Sequence, residues 1–184
     1  MKTAIVPLAE GFEEVEALTV VDVLRRGGVR VKTAAIGESL RVTGAHGVEV
    51  AADARFSDVM VEPCDALILP GGGQGTANLK ASSAVIERLR RQKADGGLIC
   101  AICAAPTVLA AAGVIDDDAH LTCYPSCAEE LHRPCADVPV VADGALITGQ
   151  APGASMLFAL VVPQALTDED TAHRVADGLV TDVF

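Results

Sequence analysis

Short apolar runs alternate with amphipathic segments along the chain, beginning at the amino terminus. Residues 4–8 form an apolar run of strand length. Beyond it, apolar residues recur at helical spacing: Val15, Leu18, Val21 and Leu24. Two arginines and two glycines at 25–28 are typical of a helix end, and residues 29–34 then alternate as a second strand. This order predicts a β-α-β unit and therefore a parallel sheet.

The alternation continues along the rest of the chain. Buried strands are predicted at 65–69 and 97–102, and antiparallel hairpins within 40–50 and 138–148. Helices are predicted over 84–94, 104–112, 153–166 and 168–180. In the first of these helices the pattern assigns four basic side chains to solvent: Arg88, Arg90, Arg91 and Lys93. We therefore predict one domain over 1–184, an α/β three-layer sandwich with a mainly parallel sheet and a ligand site at the carboxyl ends of its strands.

The composition and charge of the chain limit the classes of partner that it can bind. The 184 residues are 51% apolar and only 3% aromatic, and the formal net charge is −11. Such a chain can bury a core, lacks aromatic platforms for nucleic-acid bases, and repels phosphate backbones and anionic membranes. Residues 96–115 and 144–167 carry no charge, but internal prolines favour buried strand–turn–helix segments over membrane spans. We expect neither a nucleic-acid partner nor a membrane partner.

The six cysteines do not indicate disulfides. The apolar run at the amino terminus is too short for a signal peptide, so we expect a cytoplasmic protein with reduced thiols. Cys100 and Cys103 match the spacing of a redox motif, yet Cys100 lies within a predicted strand and is interpreted as a buried core residue. Three further cysteines and two histidines lack zinc-site spacing, and no metal is expected: Cys123, Cys127, Cys135, His120 and His132.

Three segments end strands at one edge of the predicted sheet: 8–16, 69–73 and 102–106. Cys103 lies on a strand-to-helix turn and has small neighbours two residues away on each side. The backbone amides of the following helix favour its thiolate, which predicts a reactive, acidic cysteine. The alternative is a small buried apolar residue.

Two other features of this edge suggest catalysis. Gly71 and Gly72 open a glycine-rich turn that fits no nucleotide motif, and their amides are candidates to hold an oxyanion, the alternative being a turn that needs positive φ. Glu16 lies on an apolar helix face, so it can turn inwards and act as a protonated partner of a thiolate. For Glu13, Glu14 and Glu16 alike, the alternative is stabilisation of the helix start.

Four motifs together resemble the DJ-1/ThiJ/PfpI superfamily, on its DJ-1 and YajL side: 9–16, 69–73, 101–106 and 150–153. The resemblance implies a flavodoxin-like fold, a homodimer, no cofactor, a reactive Cys103 and a protonated Glu16. It further implies that backbone amides near Gly72 and Ala104 face the cysteine. Tyr124 and Gln150 are the remaining candidate pocket residues.

Departures from the family pattern limit the activity. Ala104 replaces the histidine of protease-like relatives, and the His-x-Glu of amidotransferases is absent. Tyr124 stands where animal relatives place a histidine, which removes a general base. The resemblance then implies an enzyme that acts on reactive dicarbonyls or glycated substrates, like glyoxalase III or a deglycase, a lyase or hydrolase. The alternative is an oxidative-stress sensor or redox-regulated chaperone that forms a Cys103 sulfinate.

Overall fold

The computed structural model describes residues 1–183, and its main feature is a seven-stranded sheet. The strands in chain order are β1 (Thr3–Leu8), β2 (Arg30–Ala35), β5 (Ala54–Arg55), β6 (Ala66–Leu69), β7 (Leu98–Ile102), β8 (Val140–Asp143) and β9 (Leu146–Gly149). Their spatial order is β5-β2-β1-β6-β7-β9-β8, and all neighbours are parallel except β8 and β9. A separate hairpin consists of β3 (Arg41–Thr43) and β4 (Glu49–Ala51). The predicted parallel sheet and both predicted hairpins are confirmed.

Helices cover both faces of the sheet. They are α1 (Glu14–Arg26), α2 (Phe56–Val59), α3 (Gly73–Ala81), α4 (Ser83–Ala94), α5 (Pro106–Ala112), α6 (Ala128–Leu131), α7 (Ser155–Leu166) and α8 (Glu169–Leu179). Two short 3-10 turns lie at Pro125–Cys127 and Pro152–Ala154. Strand β6 shows the layering, because Ile68 packs with α1 and α7 on one face while Leu67 and Leu69 pack with α4 and α5 on the other. The three-layer α/β sandwich is confirmed.

Helix α1 buries half of its predicted apolar positions. Val15 and Leu18 are 52% and 40% exposed, whereas Val21 and Leu24 are buried against the sheet together with Ala17. The predicted helical period is confirmed, but the first two apolar positions do not reach the core. The two exposed side chains therefore leave an apolar surface on α1.

Two further local predictions differ from the structure. Helix α3 was missed, because the glycines at its start suggest a turn. Arg88 was assigned to solvent, yet it is only 2% exposed. Cys100, by contrast, is fully buried as predicted. Within residues 1–183, no helix has the length and apolar character that crossing a membrane requires.

Candidate active site

Cys103 follows the last residue of β7, at the carboxyl edge of the sheet. Its φ is 65°, a left-handed conformation that costs free energy for a residue with a side chain. The backbone holds it on both sides, since its N–H donates to the Gly149 carbonyl at 2.9 Å and its carbonyl accepts from the Tyr124 N–H at 2.8 Å. The side chain is 9% exposed. The thiol is thus fixed in a strained turn, a geometry that recurs at nucleophiles.

Glu16 reaches the same place from the first turn of α1. It is 1% exposed, and its Oε2 accepts a hydrogen bond from the Gly71 N–H at 2.6 Å. Its Oε1 is buried without a hydrogen-bond partner among the described residues, although the carboxyl lies close enough to Cys103 for each group to shift the other's pKa. A Cβ added to Gly71 would lie 2.7 Å from Glu16 Oε2 and 2.8 Å from Cys103 Cβ. Only glycine fits between the two groups.

The backbone amides of the site contact different groups from those that the sequence predicts. The Gly71 N–H is committed to Glu16, so it does not face a reacting oxygen. The Gly72 and Ala104 N–H groups contact the Cys103 thiol instead. Gly72 has a φ of 90°, and a Cβ there would lie 2.4 Å from the Gly11 carbonyl oxygen. The amides that face the thiol are therefore those of Gly72 and Ala104, while the Gly71 amide holds the Glu16 carboxyl.

Glu16 and Cys103 shift each other's pKa. Burial raises the pKa of Glu16 from 4.5 to about 7, against the opposing effect of hydrogen bonds from Gly71 and Cys103. Burial and the Glu16 carboxylate raise the pKa of Cys103 to about 12, while the amides of Ala104 and Gly72 lower it. With Glu16 ionised, the thiol is therefore less acidic than the sequence predicts, because burial and a neighbouring anion outweigh the amides. Near neutral pH Glu16 therefore changes its protonation state while the Cys103 thiol keeps its proton.

Tyr124 and Gln150 lie at the rim of this site. Tyr124 is 43% exposed and is connected to Cys103 through its backbone N–H. Gln150 follows the Gly149 carbonyl that anchors Cys103, but its side-chain amide donates to Asp137 Oδ1 at 2.8 Å. The Gln150 side chain is therefore bonded to Asp137 rather than to Cys103 or Glu16.

A second carboxylate on α1 has a structural role. Glu14 Oε1 accepts from the His46 N–H at 2.7 Å, and Oε2 lies 2.9 Å from His46 Nδ1. Burial alone would raise the pKa of Glu14, but the His46 side chain and the backbone N–H groups of His46 and Val48 lower it to about 2. Ligand atoms of Glu13, Glu14 and His46 lie within 4.8 Å of one another. Since Glu14 already accepts these hydrogen bonds, the cluster fastens the β3–β4 hairpin to α1.

Known proteins share this arrangement of elements. A model of the DJ-1/PfpI family matches residues 2–165. The chain belongs to the DJ-1/PfpI family. Protein dj-1beta of Drosophila melanogaster is 40% identical over 182 residues, 97% of each chain, and its crystal structure matches with a TM-score of 0.93 at 39% identity over 98% of each chain. A Caenorhabditis elegans protein named glutathione-independent glyoxalase is 36% identical and covers 97% of this chain and 96% of its own length.

Two features of this DJ-1/PfpI protein escaped sequence reasoning. The Gly71 amide was grouped with its neighbours because nothing local reveals that it faces a carboxylate 55 positions away. Arg88 was placed in solvent because its partners come from another loop. One feature of the sequence does suggest that Arg88 is buried, since it directly precedes Leu89, a buried residue of the same helix.

Proposed function

We propose that this DJ-1/PfpI protein is a cofactor-independent enzyme that converts small dicarbonyls such as methylglyoxal and glyoxal into 2-hydroxy acids. The observation that carries the proposal is the buried carboxyl of Glu16, with a pKa of about 7, next to the thiol of Cys103. A general acid–base works best when its pKa lies near the working pH. The glyoxalase name of the nematode relative supports the same class of substrate.

The first step is addition to the aldehyde. Ionised Glu16 takes the Cys103 proton, and the thiolate sulfur attacks the aldehyde carbon, forming a C–S bond while the carbonyl electron pair moves to oxygen. The N–H groups of Gly72 and Ala104, which contact the thiol before reaction, stabilise the developing oxyanion. Glu16 returns the proton to this oxygen, and the product is a hemithioacetal.

The second step moves a hydrogen between neighbouring carbons. Glu16 removes the proton from the carbon bonded to sulfur, giving an enediolate, and returns it to the adjacent carbon. The hydroxyl proton on the carbon bonded to sulfur passes to the oxygen of that adjacent carbon. This rearrangement gives a 2-hydroxyacyl thioester on Cys103, which water hydrolyses to the 2-hydroxy acid and the free thiol. The oxidation of one carbon balances the reduction of its neighbour, so no external oxidant or reductant is consumed. A deglycase activity on glycated substrates would begin from the same nucleophile.

One observation favours the rival function, a peroxide sensor. Glu16 Oε1 is buried and has no hydrogen-bond partner among residues 1–183, so a protonated carboxyl has an O–H free to donate to an oxygen added to Cys103. In that role Cys103 is oxidised to a sulfinate, and dicarbonyl turnover is a side reaction.

Steady-state kinetics with methylglyoxal separate these roles. We expect Glu16→Gln to lower kcat by about a hundredfold or more, the usual cost of losing a general acid–base, and Cys103→Ala to abolish turnover. The matched control is Asp22→Asn, which removes an exposed carboxylate of the same helix and should retain activity. Equal turnover by the wild type and Cys103→Ala would overturn the enzyme proposal, whatever the Glu16 variant does.

A further inference from the structure

Arg88 is a buried cation without an anionic partner. It is 2% exposed, and no described carboxylate lies within ion-pair distance of its guanidinium. Its Nε and Nη1 atoms are buried and have no hydrogen-bond partner among residues 1–183. Arginine stays protonated in proteins, so unsatisfied N–H groups at this depth are costly. An additional acceptor near Arg88 would offset that cost.

The acceptor that Arg88 contacts at short range is Cys64. Arg88 Nη2 donates to Cys64 Sγ at 2.9 Å and to the Glu62 carbonyl at 3.5 Å. On its other side, the Cys64 thiol donates to Gln92 Oε1 at 3.6 Å. The Gln92 amide is oriented by donating to the carbonyls of Cys64, Asp65 and Leu98, so its oxygen has to face the sulfur. Cys64 thus lies between a fixed cationic donor and a fixed acceptor.

Cys64 lies beside a cavity. Cys64 is half-buried and lines a cavity of about 300 Å³ together with Arg30, Lys32 and Glu62. It lies near the end of the loop before β6, at the amino edge of the sheet, whereas Cys103 lies at the carboxyl edge. The two cysteines therefore belong to separate sites.

We propose that Cys64 is a second, peroxide-reactive cysteine, whose sulfenic acid is held by Arg88 and Gln92. The Cys64 sulfur attacks one oxygen of hydrogen peroxide, the O–O bond breaks, and the departing hydroxide takes the thiol proton to leave as water. Sulfur is oxidised by two electrons and peroxide is reduced by two. The new oxygen accepts N–H bonds that Arg88 lacks in the reduced protein, and its O–H donates to Gln92 Oε1. The guanidinium also stabilises the negative charge that develops on sulfur and on the leaving oxygen.

Trapping with dimedone tests this assignment. Protein carrying Cys103→Ala is treated with hydrogen peroxide and dimedone, and labelling of each cysteine peptide is followed over time by mass spectrometry. We expect Cys64 to be labelled about tenfold or more faster than Cys127 and Cys135, which are also partly exposed, because a charge-assisted hydrogen bond favours its reaction. Equal rates at the three cysteines would overturn the proposal without any further variant.

Two substitutions on α4 test the role of the buried cation. Arg88→Met should slow Cys64 labelling about tenfold or more, and Arg88→Lys should slow it less because the charge is kept. Arg91→Met is the matched control, since Arg91 bonds the Val61 carbonyl and pairs with Asp95 instead. Circular dichroism verifies that each variant is folded. If Arg88→Met does not fold, the proposal is tested by the labelling rate of Cys64 in Arg88→Lys and by the comparison of the three cysteines without a substitution at Arg88. An equal effect of the Arg91 and Arg88 substitutions would also overturn the proposal.

Discussion

The raised pKa of Glu16 has a direct consequence for stability. The carboxyl has a pKa of 4.5 when unperturbed and about 7 in the folded protein, because it is buried beside Cys103. Between these pH values the unfolded chain has released the proton while the native protein keeps it, so the free energy of unfolding falls by about 1.4 kcal/mol per pH unit. The contribution is complete below pH 4.5 and has been lost above pH 7, a total of about 3 kcal/mol.

Glu16→Gln removes this dependence, because an amide does not ionise in this range. We expect the free energy of unfolding of the variant, minus that of the wild type, to increase by about 3 kcal/mol between pH 4 and pH 8. The assay is urea denaturation at fixed protein concentration across that range. Asp22→Asn serves as the control for loss of one negative charge from the same helix. If the free energy of unfolding of Glu16→Gln minus that of the wild type does not depend on pH, or decreases as the pH rises, the assignment of a buried, protonated carboxyl is refuted.

Two further predictions concern the backbone of the site and the assembly. Gly71→Ala should reduce dicarbonyl turnover at least about tenfold and destabilise the fold by about 1–3 kcal/mol, because the added Cβ would clash with Glu16 and Cys103. The control is Gly73→Ala, whose added Cβ has no atom within 4 Å and should leave turnover unchanged in the same assay. The exposed apolar face of α1 should form a homodimer interface, so wild type should sediment as twice 18.9 kDa and the double variant Val15→Glu, Leu18→Glu as a monomer. A wild-type monomer at micromolar concentration would contradict the second prediction.

The fold could be predicted from the sequence because its signals are local. Apolar runs bounded by glycine and proline marked the strands, and the Asp143–Gly144 turn marked the hairpin of β8 and β9. Cys103 stood out for the same reason, as a residue with small neighbours at the end of the most apolar strand. The order of elements then fixed the edge of the sheet at which the site lies.

Other features of the site depend on distant contacts that no local pattern encodes. The Gly71 amide points to Glu16 only because α1 packs against the loop after β6. The pKa of Cys103 depends on burial and on the charge of that same carboxyl, whereas the sequence suggested only favourable effects, from the amides and from a protonated Glu16. The partner of Arg88 likewise comes from a loop 24 positions away. In helix α1 the exposed apolar residues have the same spacing as core residues, so the sequence pattern does not distinguish the two.

Proton NMR of methylglyoxal incubated with the purified protein tests the central claim most directly, because it separates catalysis from simple capture of the aldehyde by a thiol. We predict that lactate accumulates in large molar excess over the wild-type protein, and that the Cys103→Ala variant produces none beyond the buffer control. Methylglyoxal loss that stops at one equivalent per thiol, or equal lactate formation by Cys103→Ala, would contradict a catalytic Cys103–Glu16 pair.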